Sequence, residues 1–260
     1  MDNHKILLFI PAYNCENQIT RVLDQLTPAI MAFISKVIVV NNRSTDNTEQ
    51  AVIDYCHSHA SLPITLLRNN DNYGLGGSHK VAFNYACQNG YDYVIVLHGD
   101  DQGCIDDFLP ILAKEYYAKH DCILGARFMR GSKLKGYSLF RTFGNIVYDF
   151  LFAFVTRRRI YDLGSGLNMY STKMLKNKFY EKFPDNLMFN YCMILASEYY
   201  GHDIKFYPIS WREEDQVSNV KMASQAVKVL SMLWNYYINP LTICGEYRDT
   251  ERESYEAEVV

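Results

Sequence analysis

The side chains best suited to chemistry in this chain lie at residues 98–102, where the sequence reads HGDDQ. His98, Asp100 and Gln102 occupy alternate positions, so in an extended segment they could point to one side. A carboxylate, an amide oxygen and one imidazole suit Mn²⁺ or Mg²⁺ that is held jointly with a substrate diphosphate. We therefore interpret this segment as a candidate metal site, with an ordinary polar loop at the end of a strand as the alternative.

A buried strand must position this cluster, and Tyr93–Leu97 directly before it is an apolar, β-branched run of the kind found in parallel sheets. Similar runs at 5–10, 36–40 and 64–68 alternate with segments of helical periodicity. This order predicts an α/β fold with a mostly parallel, twisted sheet and helices on both faces. Ligands bind such sheets at the carboxyl ends of the strands. We expect Pro11 to end the first strand, two further strands at 122–125 and 204–209, and helices at 16–33, from Ser44 or Thr45 to 58, 79–87, 108–118, 139–155 and 218–237.

Length and composition narrow the class of protein. The chain has 260 residues, 48% of them hydrophobic, which is enough for a large core. A net charge of −3 argues against a nucleic-acid-binding protein. The seven cysteines are scattered without a CxxC pair, which indicates a reducing compartment and neither disulfides nor a zinc site.

The sequence also predicts the cellular location of the protein and its division into domains. We expect no signal peptide and no transmembrane span, because no apolar run approaches about 20 residues. The protein is therefore expected in the cytoplasm, either free or peripheral on the cytoplasmic membrane face. We predict one catalytic domain over 1–217, a helix at 218–245 packed on or beside it, and a disordered acidic tail at 246–260.

Three loops after strands, at 11–14, 41–46 and 98–102, have the groups that a nucleotide needs. Asn41 and Asn42 supply amide donors and acceptors for a base and a ribose, and Tyr13 offers an aromatic face. The GLGG segment at 74–77 lies between a strand and a helix, so it could cradle a phosphate. It does not match the GxGxxG dinucleotide fingerprint, and a tight turn is the alternative.

Taken together and in order, these motifs resemble those of family 2 glycosyltransferases, which have the GT-A fold. Motifs further along are similar to those of the branch that acts on polyprenyl phosphates, the dolichyl-phosphate sugar synthases. The resemblance covers roughly residues 5–222, and its motifs are FIPAYN (9–14), VIVVNNRSTD (37–46), NYGLGG (72–77), LHGDDQ (97–102), GARF (125–128), DLGSGLNMYS (162–171) and PISWREED (208–215).

The resemblance implies a role for each matching residue. Asp100 would be the main metal ligand, assisted by Gln102 and His98. Lys221 would belong to a mobile loop near the site. Three arginines would face the phosphates of donor and acceptor: Arg127, Arg141 and Arg212. The nucleotide pocket would comprise Pro11, Ala12, Tyr13, Asn14, Asn41, Asn42, Ser44, Gly74, Gly76 and Gly99.

Two positions depart from the family pattern. His98 replaces the first aspartate of the DxD motif, so the site has one negative charge fewer. We expect weaker Mg²⁺ binding there, or an indirect role for His98 in contacting the donor phosphate. Asn41 and Asn42 replace the usual acidic pair, which keeps hydrogen bonding to the base or ribose.

The class of acceptor is inferred from the absence of an acidic residue that could act as a general base. Where relatives that glycosylate hydroxyl groups have an acidic residue, this chain has MFNYCM at 188–193. A phosphate acceptor is already an anion near neutral pH, so it needs arginines to hold it rather than a general base. We therefore expect an inverting, metal-dependent transfer of a sugar from a GDP- or UDP-linked donor to a polyprenyl phosphate.

The segment 139–155 fits a lipid acceptor, because its apolar residues form one wide stripe and three arginines follow at 157–159. A core helix with a solvated basic end is the alternative. Two further functions stay open. One is transfer to a saccharide or protein hydroxyl, and the other is a non-catalytic protein that binds nucleotide sugars. The candidate bases for hydroxyl transfer are Asp185, Glu213, Glu214 and Asp215.

Overall fold

The computed structural model describes residues 4–214, 222–250 and 252–260, with the side chains of 222–225 excepted. Lys221 and Asp215 therefore lie outside the described residues. The strands in chain order are β1 (Ile6–Ala12), β2 (Lys36–Asn41), β3 (Ile64–Asn69), β4 (Tyr93–Leu97), β5 (Cys122–Ala126), β6 (Lys133–Lys135), β7 (Leu167–Ser171), β8 (Ile204–Pro208), β9 (Ser210–Arg212) and β10 (Ala257–Val259). The α-helices are α1 (Ile19–Leu23), α2 (Pro28–Met31), α3 (Thr48–Ser58), α4 (Gly74–Gln88), α5 (Leu109–Ala113), α6 (Leu139–Thr156), α7 (Thr172–Leu175), α8 (Phe189–Tyr199) and α9 (Met222–Ile238).

Eight of these strands form one mixed sheet in the order β10-β3-β2-β1-β4-β7-β5-β8. The strands β3, β2, β1 and β4 are parallel neighbours, whereas β7 runs antiparallel between β4 and β5. The parallel arrangement brings the carboxyl ends of β1, β2 and β4 to one edge of the sheet. The predicted α/β fold is thus confirmed.

The core lies on both faces of the sheet. Every residue of β1 is buried, and its side chains alternate between two apolar clusters. Leu7 and Phe9 face one cluster, while Leu8 and Ile10 face the other. Because side chains in a strand alternate between the two faces, a continuous apolar run is what a doubly covered strand requires.

Two predicted boundaries at the amino-terminal end are wrong. The expected helix at 16–33 is broken, because Pro28 begins a second short helix that is capped by Thr27. Pro11 does not end β1 but lies within it. The Pro11 carbonyl accepts from the Gly99 N–H, after β4, at 3.0 Å, so its backbone faces the β4 side. Because β4 pairs with β1 only as far as Phe9, the missing N–H of proline interrupts no ladder bond.

The expected start of α3 is also corrected. The helix begins at Thr48 rather than after Ser44 or Thr45. Asp46 Oδ1 accepts hydrogen bonds from both the backbone N–H and the hydroxyl of Thr48, at 3.0 and 2.6 Å. The carboxylate therefore lies at the positive end of the helix, as expected, and it bonds the first helical residue from the position before the N-cap residue, Asn47.

The prediction of a disordered tail at 246–260 is wrong for its final residues. Ala257–Val259 forms β10, which pairs antiparallel with β3. Arg68 of β3 also donates to Glu258 at 3.0 Å. An edge strand has unpaired backbone groups that another extended segment can satisfy, and here the acidic tail also supplies an ion pair to that edge.

Helix α6 has a wide apolar face in contact with solvent. Phe140 and Phe143 are 75% and 68% exposed, whereas Asp149 and Phe152 face the protein and are buried. Within the described residues, α6 alone has the length and the mean hydropathy, 1.2, that crossing a bilayer would require, and only 17% of it is buried. Arg141 and Asp149 interrupt the apolar sequence of α6, so this helix qualifies by length and composition only.

Candidate functional site

A cleft of about 760 Å³ opens at the carboxyl ends of β1 and β4. It brings together most of the residues that the sequence assigned to a site. The predicted residues that line it are Pro11, Ala12, Tyr13, Asn14, Asn42, Gly74, His98, Gly99, Asp100, Gln102, Arg127 and Arg141.

Asn42 organises the side of the cleft that the sequence assigned to the nucleotide. Its Oδ1 accepts hydrogen bonds from Asn69 Nδ2 and from the backbone N–H of Tyr73, at 2.9 and 2.8 Å. Its Nδ2 donates to Asn72 Oδ1 at 2.8 Å. The loop after β3 is therefore tied to the end of β2. Tyr13, which also lines the cleft, is about half exposed.

Three residues assigned to the nucleotide pocket do not line the cleft. Asn41 is buried, donates to Glu49 at 2.6 Å and accepts from the backbone N–H of Ser44 at 3.0 Å. Ser44 in turn accepts from the backbone N–H of Asn14, at 3.1 Å. Asn41 and Ser44 thus fix the backbone of a cleft-lining loop instead of facing a ligand. Gly76 is the third of these residues, and its contacts are with another loop.

The GLGG segment is the first turn of α4, and the N–H groups of its three glycines have partners within the protein. Gly76 donates to the backbone carbonyl of Asp185 at 2.7 Å. A Cβ on either Gly74 or Gly76 would collide with the backbone of residues 184–185. These glycines allow two loops to approach closely, so the structure favours the tight turn over the phosphate cradle.

Asp100 is the carboxylate best placed for a metal ion. Burial raises its pKa from 3.8 to about 6, partly offset by the backbone N–H of Gln102, which donates to Oδ1 at 3.3 Å. Gln102 Nε2 donates to Glu213 at 3.4 Å, and its amide oxygen is an acceptor. The described residues contain no group of three histidine, cysteine or acidic side chains that could hold a metal. Asp100 and Gln102 fit Mn²⁺ or Mg²⁺ that takes further oxygens from substrate and water.

The neighbouring Asp101 has a structural role, and its hydrogen bonds explain the position of Arg212. Asp101 is buried in the left-handed region at φ 59°, and its carboxylate accepts from Arg21 at 2.7 Å and from Arg212. Arg212 Nε also donates to the carbonyl of Asp101 at 2.7 Å. Arg212 does not line the cleft, so its position does not support the predicted contact with substrate phosphate. Instead, it stabilises the loop that contains Asp100.

His98 lies deeper than a simple metal ligand. Its Nε2 is buried without a hydrogen-bond partner, and a Cβ on Gly166 would collide with its ring. Burial, aided by the charge of Arg127, lowers the pKa of His98 to about 4. The imidazole is therefore neutral at pH 7. In this conformation Nε2 is inaccessible from solvent, which argues against a direct contact of this atom with a metal ion or a donor phosphate.

Two arginines give the cleft its positive charge. Arg127 is 7% exposed and forms a fork with Asp162, in which Nε and Nη2 donate at 2.7 and 2.8 Å. Arg141, from α6, donates twice to Glu213 at 2.7 and 2.8 Å. Both side chains line the cleft with part of their surface, and an anion there would meet two cations held by carboxylates.

Sequence reasoning missed several residues of the site. Asp162, which fixes Arg127, lies in the DLGSG motif, but no spacing rule pairs it with residue 127. Leu187 and Trp211 line the cleft from segments distant in the chain. The partial signal was the motif order, which identifies these segments without showing their contacts.

Comparisons with known proteins agree with the fold and with the family resemblance. The family model described as Glycosyl transferase family 2 matches residues 8–179. The chain is 23% identical over 186 residues to the UDP-N-acetylglucosamine–dolichyl-phosphate N-acetylglucosaminyltransferase of Methanococcus voltae, covering 68% of this chain and 73% of that one. It is 25% identical over 239 residues to the dolichyl-phosphate beta-glucosyltransferase ALG5A of Trichomonas vaginalis, covering 85% and 72%.

Among solved structures, the fold is similar to that of glucosyl-3-phosphoglycerate synthase from Mycobacterium tuberculosis in complex with Mn²⁺ and UDP-glucose. The TM-score is 0.63 at 15% identity, over 99% of this chain and 86% of that one. This likeness extends to the GT-A fold, and the family match covers well over half of the sequence. The chain therefore belongs to glycosyl transferase family 2 and is a glycosyltransferase.

Proposed function

We propose that this glycosyltransferase moves a sugar, with inversion, from a nucleoside-diphosphate donor to a polyprenyl phosphate at a membrane surface. One observation carries the proposal. Helix α6 contributes Arg141 to the cleft and, in the same turns, exposes Leu139, Phe140 and Phe143 to solvent. An acceptor with a phosphate head and a hydrocarbon tail would satisfy both features at once.

The carboxylates of the cleft also favour a phosphate acceptor. Among the described residues that line the cleft, the acidic side chains are Asp100 and Glu213. Glu213 is engaged by both bonds from Arg141, and Asp100 is the proposed metal ligand. A hydroxyl acceptor would need one of them as a general base, whereas a phosphate needs none.

The other bases considered for hydroxyl transfer fit less well. Asp185 accepts hydrogen bonds from Lys80 and Tyr255, both at 2.7 Å, and does not line the cleft. Glu214 pairs with Lys135 at 2.5 Å at the surface. These contacts support holding or packing roles for both carboxylates.

In the proposed reaction, a phosphate oxygen of the acceptor attacks the anomeric carbon, and the bond from that carbon to the donor diphosphate breaks. Arg127 and Arg141 hold the acceptor phosphate, and Asp100 with Gln102 would hold Mn²⁺ or Mg²⁺. A bound divalent ion would supply positive charge that stabilises the leaving diphosphate. The nucleoside of the donor is uridine or guanosine. Uridine is supported by the relative from Methanococcus voltae, which is named for UDP-N-acetylglucosamine, and by the complex of the similar structure with Mn²⁺ and UDP-glucose.

Acceptors that differ only in the phosphate test this proposal. Radiolabelled UDP- and GDP-sugars would be incubated with Mn²⁺ and either a short polyprenyl phosphate or the polyprenol of equal length, and organic-phase label counted. We expect label with the phosphate and background with the alcohol. Equal transfer to the alcohol, or transfer to a soluble saccharide instead, would overturn the proposed acceptor.

We expect Phe140→Asp with Phe143→Asp to abolish co-sedimentation with vesicles of mixed neutral and anionic lipids. The wild type should sediment, because its apolar face would enter the interface and the exposed Arg157 and Arg159 would attract anionic headgroups. The control, Ala60→Asp with Ser61→Asp, adds the same charge to the exposed loop between α3 and β3. A double variant that still sediments like the wild type would contradict the membrane role of α6.

A further inference from the structure

The C-terminal segment reaches the wall of the cleft through β3. The backbone N–H of Asn70 donates to the carbonyl of Glu256 at 3.1 Å, which extends the β10–β3 pairing to the start of the loop that follows β3. That loop supplies Asn72 and Gly74 to the cleft, and it carries the contacts of Asn42 described above. The tail is thus bonded to the strand whose end supports the donor side.

Tyr255 joins this tail to two further segments. Its hydroxyl accepts from Lys80 Nζ of α4 at 2.9 Å and donates to Asp185 Oδ1 at 2.7 Å. Its ring packs edge-on against Tyr73, with 5.4 Å between the ring centroids. Burial, together with the hydrogen bond to Asp185, raises the pKa of the Tyr255 hydroxyl, so it stays protonated and can donate.

Lys80 connects Tyr255 to the loop that contains Asp185. Its side chain is fully buried, and Nζ donates to the carbonyl of Phe183 at 2.6 Å and to Asp185 Oδ1 at 2.7 Å, besides Tyr255. A buried ammonium needs three acceptors to satisfy its three N–H groups, and these are the three that surround it. The loop that contains Asp185 continues to Leu187, which lines the cleft.

We propose that Tyr255 is a positioning residue for the donor, acting through Lys80 and Asp185 on the two loops that form one wall of the nucleotide site. The inference rests on the proposed function, because it needs that wall to bind a nucleoside diphosphate. Loss of the Tyr255 hydroxyl would leave Lys80 with one acceptor fewer and loosen the contact between Asp185 and the first turn of α4, where Gly76 donates to the Asp185 carbonyl. The tail would then affect donor binding without touching the donor.

The test is Tyr255→Phe, which keeps the ring and removes the hydroxyl. Binding of UDP and of GDP with Mn²⁺ would be measured by calorimetry at a temperature where all variants are folded. We expect the Kd of the nucleotide that binds to rise roughly three- to tenfold, the effect of one or two buried hydrogen bonds. The KM for the donor should rise in parallel, and kcat should stay within about twofold of the wild type.

Tyr247→Phe is the matched control, because the Tyr247 hydroxyl donates to the carbonyl of Thr242 at 2.8 Å, away from the cleft. Its nucleotide Kd should equal that of the wild type. An unchanged Kd in Tyr255→Phe, or an equal rise in Tyr247→Phe, would overturn this inference and leave the proposed function intact. A wild type that binds neither nucleotide would overturn both.

Discussion

Asp100→Asn is expected to reduce turnover about a thousandfold and, at the same time, to make the protein more stable at neutral pH. The loss of turnover follows from the proposed metal site, where an amide is a much weaker ligand than a carboxylate. Several kcal/mol of charge stabilisation on the leaving diphosphate would be lost, and each ~1.4 kcal/mol is tenfold in rate. Initial rates at saturating Mn²⁺ measure this effect.

The gain in stability follows from the pKa of Asp100. Folding raises that pKa from 3.8 to about 6, so the folded state disfavours the ionised carboxylate. The folded state binds more protons than the unfolded state between these two values, and the free energy of unfolding therefore falls as pH rises from about 4 to 6. At one pKa unit per ~1.4 kcal/mol, the penalty above pH 6 is up to roughly 3 kcal/mol. Asparagine removes the penalty and can keep the bond from the Gln102 N–H.

Urea unfolding of wild type and Asp100→Asn without metal, at pH 4.5 and pH 7.5, separates the two effects. At pH 7.5 the free energy of unfolding of the variant should exceed that of the wild type, and this difference should shrink at pH 4.5. Asp106→Asn is the control, because Asp106 is an exposed acid in the short 3₁₀ helix Ile105–Phe108 that follows this loop. Full turnover in Asp100→Asn would contradict the assignment of Asp100 as a metal ligand. A variant less stable than the wild type at pH 7.5 would contradict the claim that burial of the ionised carboxylate destabilises the fold.

Asp162→Asn should lower the free energy of unfolding by about 3–5 kcal/mol, the usual cost of leaving one partner of a buried ion pair uncompensated. Arg127 is buried and takes both oxygens of Asp162, so a neutral amide leaves a charge without its counterion. The cleft should also lose its shape, because Arg127 lines it. Equilibrium urea unfolding at pH 7.5 measures the change.

Asp203→Asn is the matched control for this pair. Asp203 binds His120 at 2.7 Å, but its side chain is 61% exposed, so the change should cost less than about 1 kcal/mol. The double variant Arg127→Met with Asp162→Leu should be more stable than Asp162→Asn, since no unpaired charge remains. If Asp162→Asn were as mild as Asp203→Asn, the structural role of the pair would be refuted.

Much of the fold was predictable, because buried parallel strands appear in the sequence as continuous apolar runs. The run at Tyr93–Leu97 shows this directly, since it is covered on both faces and delivers Asp100 to the edge where a ligand would bind. Short loops that follow such strands stay near their ends, so Asn42 and Gly99 could also be located. Local pattern and chain order were sufficient for these residues.

Contacts between distant segments were not predictable in the same way. Arg212 has the residue type of a phosphate ligand, yet its partner is Asp101, 111 positions away. The acidic composition of the tail favoured disorder, but β10 forms through backbone bonds that composition does not encode. The burial of His98 depends on Gly166, whose lack of a side chain makes room for the ring.

The most direct test of the central claim is the ratio of organic-phase sugar to released nucleoside diphosphate, measured in one reaction with short polyprenyl phosphate, Mn²⁺ and the donor that supports turnover. We predict a ratio of about one, with both products lost on adding EDTA. Release of nucleotide without sugar in the organic phase would contradict transfer to a lipid phosphate. It would mean that this cleft serves another acceptor or water.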